Sequence, residues 1–277
     1  MSDVLSGLKT RLITALVLLA VVLLVVWVPW LWWGLVLFVA GVALVGIFEY
    51  FALVSTRDVF PMVRIVAAGG LMIVLAAGFG GFGVAAAALC VAVLVAVTLH
   101  ARQVSSSIAD TSAIVFGLVY VAWFAAHVPL MHRIPEIGPG LVTILIVVVA
   151  LTDTAAYFVG KTFGKHPLAP VISPNKSWEG AIGGFAGALL GVYLIWALRE
   201  ANEWSALPAW SVWRYLAMGA LLSIASQAGD LVESSLKRNA GIKDSGSIFP
   251  GHGGVLDRCD GFLFAAPLLY YIADLFG

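Results

Sequence analysis

The sequence has 277 residues, of which 62% are hydrophobic and 11% charged, and its 15 basic residues balance its 15 acidic ones. With a mean hydropathy of +1.04, this composition indicates an integral membrane protein rather than a soluble domain. A net charge of zero predicts no basic surface for nucleic acid, so no nucleic-acid partner is expected. The two cysteines, Cys90 and Cys259, lack the spacing of a metal cluster or redox motif.

Nine apolar runs are long enough to cross the ~30 Å hydrocarbon core of a bilayer. They lie near residues 12–28, 31–54, 63–80, 82–99, 112–131, 140–160, 179–198, 212–232 and 256–276. The sequence therefore predicts an all-α fold, a polytopic integral membrane helical bundle of about nine transmembrane helices. Only a glycine-rich stretch separates the third and fourth runs, so a re-entrant pair is an alternative for them.

The basic residues predict the orientation of these spans. With the N-terminus inside, 12 of the 15 basic residues fall on the cytoplasmic side, and only Arg133, Arg199 and Arg214 lie outside. This distribution follows the positive-inside rule. It also places two polar loops, 161–178 and 233–255, on the same cytoplasmic face, where we expect them to lie close together.

The first polar loop contains prolines, which exclude a continuous helix. Ser177 is placed to cap a helix that begins near Trp178, and Ser173 precedes a proline at a turn. For both serines, a capping or turn role and a catalytic role stay open. Lys176 near a helix N-terminus is unfavourable unless an anion binds there. The candidate binding residues in this loop are Ser173, Asn175, Lys176, Ser177 and Glu179.

The second polar loop overlaps a segment, Ser234 to Asp260, that combines four basic residues with five glycines. Lysine and arginine supply cationic donors. Glycines such as Gly251, Gly253 and Gly254 let backbone N–H groups approach an anion closely, and such turns before a helix bind phosphate well. The pattern predicts a site for a polyphosphate with a divalent metal. A solvated loop between helices is the alternative.

Acidic residues inside or beside three predicted spans are the other sign of a site. They are Asp153, Asp230, Glu233, Asp257 and Asp260. Each is costly in lipid and should face a polar cavity. The pairs 230/233 and 257/260 have helical i, i+3 spacing, so a carboxylate cluster at three helix ends is expected, suited to one or two hard cations. Salt bridges to Lys237, Arg238 and Arg258 are the alternative.

Other features are assigned to structure. Gly183, Gly187 and Gly191 recur every four residues and should let another helix pack closely. Glu49 and Asp274 lie near other helix ends and are interpreted as simple interface residues.

The segment Ser234 to Asp260 resembles the signature of phosphatidate cytidylyltransferases, also called CDP-diacylglycerol synthases. The resemblance rests on SSLKR, KDSG, PGHGG and DRCD as they stand in this sequence. The SPNKSWEG loop at Ser173 to Gly180, Asp153 and Asp230 are also similar to that family, so the resemblance covers the C-terminal half. Cys259 departs from the aliphatic residue or threonine that the family usually has, which leaves the acids unaffected.

The resemblance implies transfer of the cytidylyl group of CTP to phosphatidate, with Mg²⁺ and often a second cation such as K⁺. It implies a homodimer, which the glycine-spaced seventh span could support, in a bacterial plasma (inner) membrane with the active site facing the cytoplasm. The implied catalytic residues are Asp230, Asp257, Lys237, Lys243 and Lys176. The implied metal ligands are Asp230, Asp257, Asp260 and Asp153. The implied substrate-binding residues are those of the first polar loop together with Arg238, Gly251, His252, Gly253, Gly254 and Arg258.

On this interpretation residues 1–110 form about four N-terminal membrane helices, and residues 111–277 form about five catalytic ones. Two other functions would also use intramembrane carboxylates. One is a secondary transporter, and the other is a kinase or nucleotidyltransferase that acts on a different lipid. A transporter gives no reason for the PGHGG turn with its flanking basic residues, and nucleotide binding would separate it from an enzyme.

Overall fold

The computed structural model describes residues 19–54, 62–103, 107–246 and 253–276. Its elements are α1 (Trp32–Val54), α2 (Val63–Gly80), α3 (Phe82–Ala101), α4 (Ile108–Gly117), α5 (Phe124–His132), α6 (Gly138–Phe163), β1 (Pro167–Ala169), β2 (Ser173–Ser177), α7 (Trp178–Asn202), α8 (Val212–Asn239) and α9 (Leu256–Phe276). Residues 19–27 are also helical, and a 3-10 turn, Pro29–Leu31, leads into α1. A π-helical segment, Leu118–Trp123, joins α4 to α5.

Within the described residues, eight helical segments are long and apolar enough to cross a membrane. They match the second to ninth predicted runs, which confirms an all-helical, polytopic membrane fold. The backbone of such helices is satisfied internally, as hydrocarbon requires. The first predicted run, 12–28, lies partly outside the described residues, and its described part, residues 19–27, is helical. The two helices flanking the glycine-rich stretch, α2 and α3, have 18 and 20 residues, which favours two full spans over a re-entrant pair.

The most extensive helix pair is α6 against α7, and the spaced glycines of α7 make this close packing possible. Gly183, Gly187 and Gly191 all face α6, and a Cβ at Gly187 would lie 2.6 Å from the Cβ of Ala155 and 3.0 Å from the carbonyl oxygen of Leu151. The predicted close packing is therefore present, but within the chain. This face does not support the expected homodimer, because α6 already covers it.

The end of the bundle that carries the two polar loops, here called the polar end, differs from the prediction in two details. The prolines of loop 161–178 do prevent a continuous helix, but β1 and β2 form an antiparallel hairpin there, with Pro167 opposite Ser177 and Ala169 opposite Ser173. In addition, α8 continues past the predicted end at residue 232 to Asn239. The expected domain boundary after residue 110 falls inside α4, and the division into two domains stays a prediction.

Candidate active site

Three carboxylates meet where α8 and α9 pack together at the polar end of the bundle. Asp230 and Glu233 lie one turn apart on α8, and Asp260 lies on α9. One oxygen of each falls within 4.8 Å of the others. Asp230 and Asp260 are half-buried, whereas Glu233 is fully buried. The helical spacing therefore brings Asp230 and Asp260 together as the sequence predicted, with Glu233 as the third member.

Lys237 links this cluster of three carboxylates to Asp257. Its Nζ lies 2.6 Å from Oε2 of Glu233 and 2.7 Å from Oδ1 of Asp257. The other oxygen of Glu233, Oε1, is buried and meets no hydrogen-bond donor in the described part of the chain. A buried acceptor without a partner costs free energy, so Oε1 is suited to bind a ligand at the centre of the group.

Asp257 lies beside the three-carboxylate group rather than in it. Its Oδ2 accepts hydrogen bonds from the N–H of Gly254 at 2.7 Å, the N–H of Ser245 at 2.9 Å and the hydroxyl of Ser245 at 3.0 Å. With Lys237 on Oδ1, both oxygens of Asp257 are engaged by the chain itself. Its predicted role as a metal ligand stays a prediction, and in this structure it organises the turn before α9.

The glycine turn approaches carboxylates of the chain itself. Gly253 has φ +82, and a Cβ there would lie 2.5 Å from Oδ2 of Asp257. The N–H of Gly254 was expected to face a phosphate, and here it donates to Asp257. Gly251 and His252, the other predicted binding residues of this turn, lie outside the described residues.

The β-hairpin brings the first polar loop against α8. Lys176 forms an ion pair with Asp230, and Nε of Arg238 donates a 3.1 Å hydrogen bond to the carbonyl oxygen of Ile172. These contacts confirm the predicted proximity of the two polar loops. Asp153 is exposed on α6 and interacts electrostatically with Asp230, Lys176 and Arg258. The hairpin thus places the cation of Lys176 at the edge of the three-carboxylate cluster.

The remaining residues of the hairpin mostly stabilise local structure. Ser177 caps α7 by accepting a 3.1 Å hydrogen bond from the N–H of Gly180, which confirms its predicted capping. Glu179 accepts hydrogen bonds from the N–H groups of Lys165 and His166 at 3.1 and 3.3 Å, and its Oε1 lies 2.5 Å from Nδ1 of the His166 ring. Ser173 and Asn175 lie on β2, with Asn175 exposed. Substrate binding by Ser173, Asn175 and Glu179 stays a prediction.

Three more predicted cations lie at the same end of the bundle as the site. Arg238, Lys243 and Arg258 are exposed at the polar end, where phosphate groups could reach them from water. Lys243 lies in the segment between α8 and α9, and Arg258 lies in the first turn of α9.

One acid that the sequence analysis set aside belongs to this region. Glu49, on α1, is only 7% exposed. Its carboxylate accepts hydrogen bonds from the N–H groups of Val255 and Leu256 at 2.9 and 2.8 Å, and from the hydroxyl of Ser245 at 3.2 Å. The interpretation of Glu49 as a simple interface residue is therefore wrong. No local pattern signals the role, because Glu49 lies about two hundred residues from its partners, and only its place in an otherwise apolar run hinted at one.

Comparison with known proteins decides the family. Residues 9–276 match the cytidylyltransferase family, which is nearly the whole chain. The chain belongs to the cytidylyltransferase family. It is 37% identical over 276 residues to the phosphatidate cytidylyltransferase of Brucella suis biovar 1 (strain 1330), covering 98% of this chain and 95% of that one. It is also 43% identical over 154 residues to the phosphatidate cytidylyltransferase of Staphylococcus aureus (strain COL), covering 56% of each chain.

Membership of the cytidylyltransferase family gives the arrangement at the polar end a chemical meaning. A nucleotidyltransferase has to hold a triphosphate and stabilise the charge that leaves as pyrophosphate. The carboxylate group, the neighbouring Lys176 and the exposed cations of α8, α9 and their connecting segment supply both kinds of residue in one place.

Proposed function

We propose that this chain transfers the cytidylyl group of CTP to phosphatidate, which releases pyrophosphate and forms CDP-diacylglycerol for phospholipid biosynthesis. The observation that carries the proposal is the cluster of Asp230, Glu233 and Asp260 beside Lys176, at the polar end of a membrane bundle of this family. Phosphatidate stays in the bilayer because each buried CH₂ is worth ~0.8 kcal/mol. A site at the end of membrane helices can meet this lipid and a water-soluble nucleotide together.

The cluster of Asp230, Glu233 and Asp260 is suited to bind Mg²⁺. Its donors are hard oxygens, which Mg²⁺ prefers, together with substrate phosphates. The buried Oε1 of Glu233 meets no donor among the described residues, so a cation would satisfy it. We propose Asp230, Glu233 and Asp260 as the residues that hold Mg²⁺, with Asp153 and Asp257 nearby and a second cation such as K⁺ in the same region. When bound, Mg²⁺ stabilises charge on the phosphoryl oxygens.

The nucleophile needs no general base. A phosphate monoester has a second pKa of about 6, so the phosphate of phosphatidate is already ionised near neutral pH. One of its oxygens bonds to the α-phosphorus of CTP while the bond from that phosphorus to the β-phosphate oxygen breaks. The electron pair of the broken bond leaves with pyrophosphate. The task of the protein is therefore to position two anions and stabilise the charge that shifts between them.

The basic residues divide this work by position. The ion pair with Asp230 places Lys176 at the edge of the three-carboxylate cluster. There it can hold a phosphate of CTP. Arg238, Lys243 and Arg258 are exposed and can neutralise the leaving pyrophosphate or the lipid phosphate. Lys237 forms ion pairs with both Glu233 and Asp257, which reduces the repulsion between these two close carboxylates.

We further propose that the chain lies in a bacterial inner membrane with this site on the cytoplasmic side, where CTP is available. The 12 to 3 division of basic residues supports that orientation. The family resemblance supports a homodimer, whose interface would use a surface other than the glycine face of α7.

One assay tests the reaction in both directions. Purified protein is incubated with CTP labelled in its cytidine, phosphatidate and Mg²⁺, and we expect label to enter the extracted lipid as CDP-diacylglycerol. Because one phosphoanhydride replaces another, pyrophosphate added to CDP-diacylglycerol should regenerate CTP, and EDTA should stop both reactions.

Parallel reactions with other lipid phosphates identify the acceptor. Label that entered only such a lipid would change the proposed substrate. Absence of any labelled lipid or CTP exchange, together with solute uptake by proteoliposomes, would contradict the proposed function and favour a transporter.

A further inference from the structure

The start of α9 is held by two carboxylates, one from α9 itself and one from the distant helix α1. Asp257 accepts the N–H of Gly254, and Glu49 of α1 accepts the next two N–H groups, those of Val255 and Leu256, at 2.9 and 2.8 Å. The first N–H groups of a helix have no partner within the helix. Glu49 therefore caps α9 from another transmembrane helix.

The segment around α9 is built to accept this carboxylate. A Cβ at Gly246 would lie 2.4 Å from Oε1 of Glu49, and a Cβ at Gly254 would lie 2.6 Å from both of its oxygens. Any larger residue would displace Glu49 or the turn. The hydroxyl of Ser245 lies 3.2 Å from Oε2 of Glu49 and 3.0 Å from Oδ2 of Asp257. Its single proton can be donated to either carboxylate, so Ser245 links the two.

The position of Glu49 has a direct consequence for the acids of the site. Asp257 and Asp260 follow Leu256 by one and four residues on the same helix. A helix moves as a rigid unit over one turn, so a shift at its first residues moves both carboxylates. An anion at this helix end is also favoured by the helix dipole, whereas a neutral amide would turn an N–H donor toward one of the backbone N–H groups.

We propose that Glu49 is a positioning residue for cytidylyl transfer: it fixes the start of α9 and thereby the place of Asp257 and Asp260 relative to Asp230 and Glu233. This inference rests on the proposed function. It gives the N-terminal membrane helices a part in catalysis, because α1 supplies the carboxylate on which the geometry of the site depends.

The test compares Glu49→Gln and Glu49→Asp with the control Asp274→Asn. Asp274 is an exposed acid at the far end of α9, and its amide variant should match wild type. Glu49→Gln should lower kcat more than tenfold, raise the Mg²⁺ concentration for half-maximal rate, and change the KM for CTP less than threefold. Glu49→Asp keeps a shorter carboxylate and should recover part of the kcat.

Amide hydrogen exchange provides a readout that does not depend on turnover. In Glu49→Gln, exchange should become faster at Val255 and Leu256 while the amides of α6 and α7 keep their wild-type protection. If this variant does not fold, Gly246→Ala tests the same contact from the other side, and it should reproduce the changes in kcat and Mg²⁺ dependence.

Two results would overturn the proposal. One is a wild-type kcat and Mg²⁺ dependence in Glu49→Gln. The other is equal loss in Glu49→Gln and Glu49→Asp with faster exchange throughout the chain, which would reduce Glu49 to general stability. If wild-type protein transfers no cytidylyl group, the proposed function fails, and exchange at Val255 and Leu256 still decides whether Glu49 holds the helix start.

Discussion

Glu233 is the residue whose environment is hardest to explain without a ligand. It is fully buried, a single lysine balances it, and one of its oxygens meets no donor among the described residues. Removing a carboxylate from water is costly unless charge and hydrogen bonds compensate it. Lys237 also forms an ion pair with Asp257. One lysine therefore faces two carboxylates, and the region has more negative charge than this lysine neutralises. A bound divalent cation would restore the balance.

We therefore expect Glu233→Gln to lower the rate of CDP-diacylglycerol formation by more than tenfold, or ~1.4 kcal/mol. The amide keeps the shape but loses the charge that attracts a divalent ion, so the Mg²⁺ concentration for half-maximal rate should rise. Initial rates measured across a Mg²⁺ series check both effects. Cys259→Val is the control, and its rates should stay within about twofold of wild type. A Glu233→Gln enzyme with normal rates and normal Mg²⁺ dependence would leave Glu233 a structural role only.

The sequence identified the acids of α8 and α9 that approach the site, but it identified neither Glu49 nor what each acid does. Helical spacing paired Asp230 with Glu233 and Asp257 with Asp260, and the structure brings these helix ends together. The family resemblance implied that Asp257 is one of the metal ligands, and this stays a prediction. In the structure Asp257, three residues after Gly254, reaches back to accept a backbone N–H at the start of its own helix. Periodicity cannot distinguish an acid that points to a cavity from one that caps its own helix.

At the scale of elements, the polar extension of α8 depends on interactions within the helix. The sequence placed its end at residue 232, where the apolar run stops, but the helix continues to Asn239. Glu233 and Lys237 are four residues apart and pair on the same face, a spacing that stabilises helices. Hydropathy predicts where a helix leaves hydrocarbon, and it does not predict where the helix ends. The β-hairpin was missed because its residues show only that a helix is excluded.

The contact between α6 and α7 gives a prediction at the same scale. Gly187→Val places a side chain where a Cβ alone would lie 2.6 Å from the Cβ of Ala155, and such overpacking costs ~1–3 kcal/mol. We expect a lower melting temperature for the detergent-purified variant. Gly41→Ala is the matched control, because a Cβ at Gly41 meets nothing within 4 Å, and alanine is favoured over glycine in a helix by ~0.5–1 kcal/mol.

The Gly187→Val variant also tests where a homodimer interface lies. Since α6 covers the glycine face of α7 within one chain, light scattering should give Gly187→Val the same oligomeric mass as wild type. Dissociation of a dimer by Gly187→Val with an unchanged melting temperature would show that the glycine face binds a second copy instead.

At the scale of the whole molecule, the sequence predicted the spans well and their mutual arrangement only in part. Eight predicted runs correspond to helices because a bilayer requires apolar segments of fixed length. The meeting of the two polar loops followed from charge and the number of spans. The contact between α1 and α9 could not be predicted, because it depends on how helices distant in sequence pack, and no hydropathy pattern records that choice.

The last prediction concerns the orientation of the whole bundle. Lys165 and Lys243 lie on the two polar loops that meet at the site, whereas Glu203 follows the far end of α7, whose 25 residues span ~37 Å at 1.5 Å per residue. That length exceeds the ~30 Å hydrocarbon core, so the two ends of α7 must lie on opposite sides. Single cysteines at Lys165 and Lys243, in a background without Cys90 and Cys259, should react with an impermeant reagent only from the cytoplasmic side. A cysteine at Glu203 should react only from outside, and labelling of the two lysine positions from opposite sides would contradict the shared site.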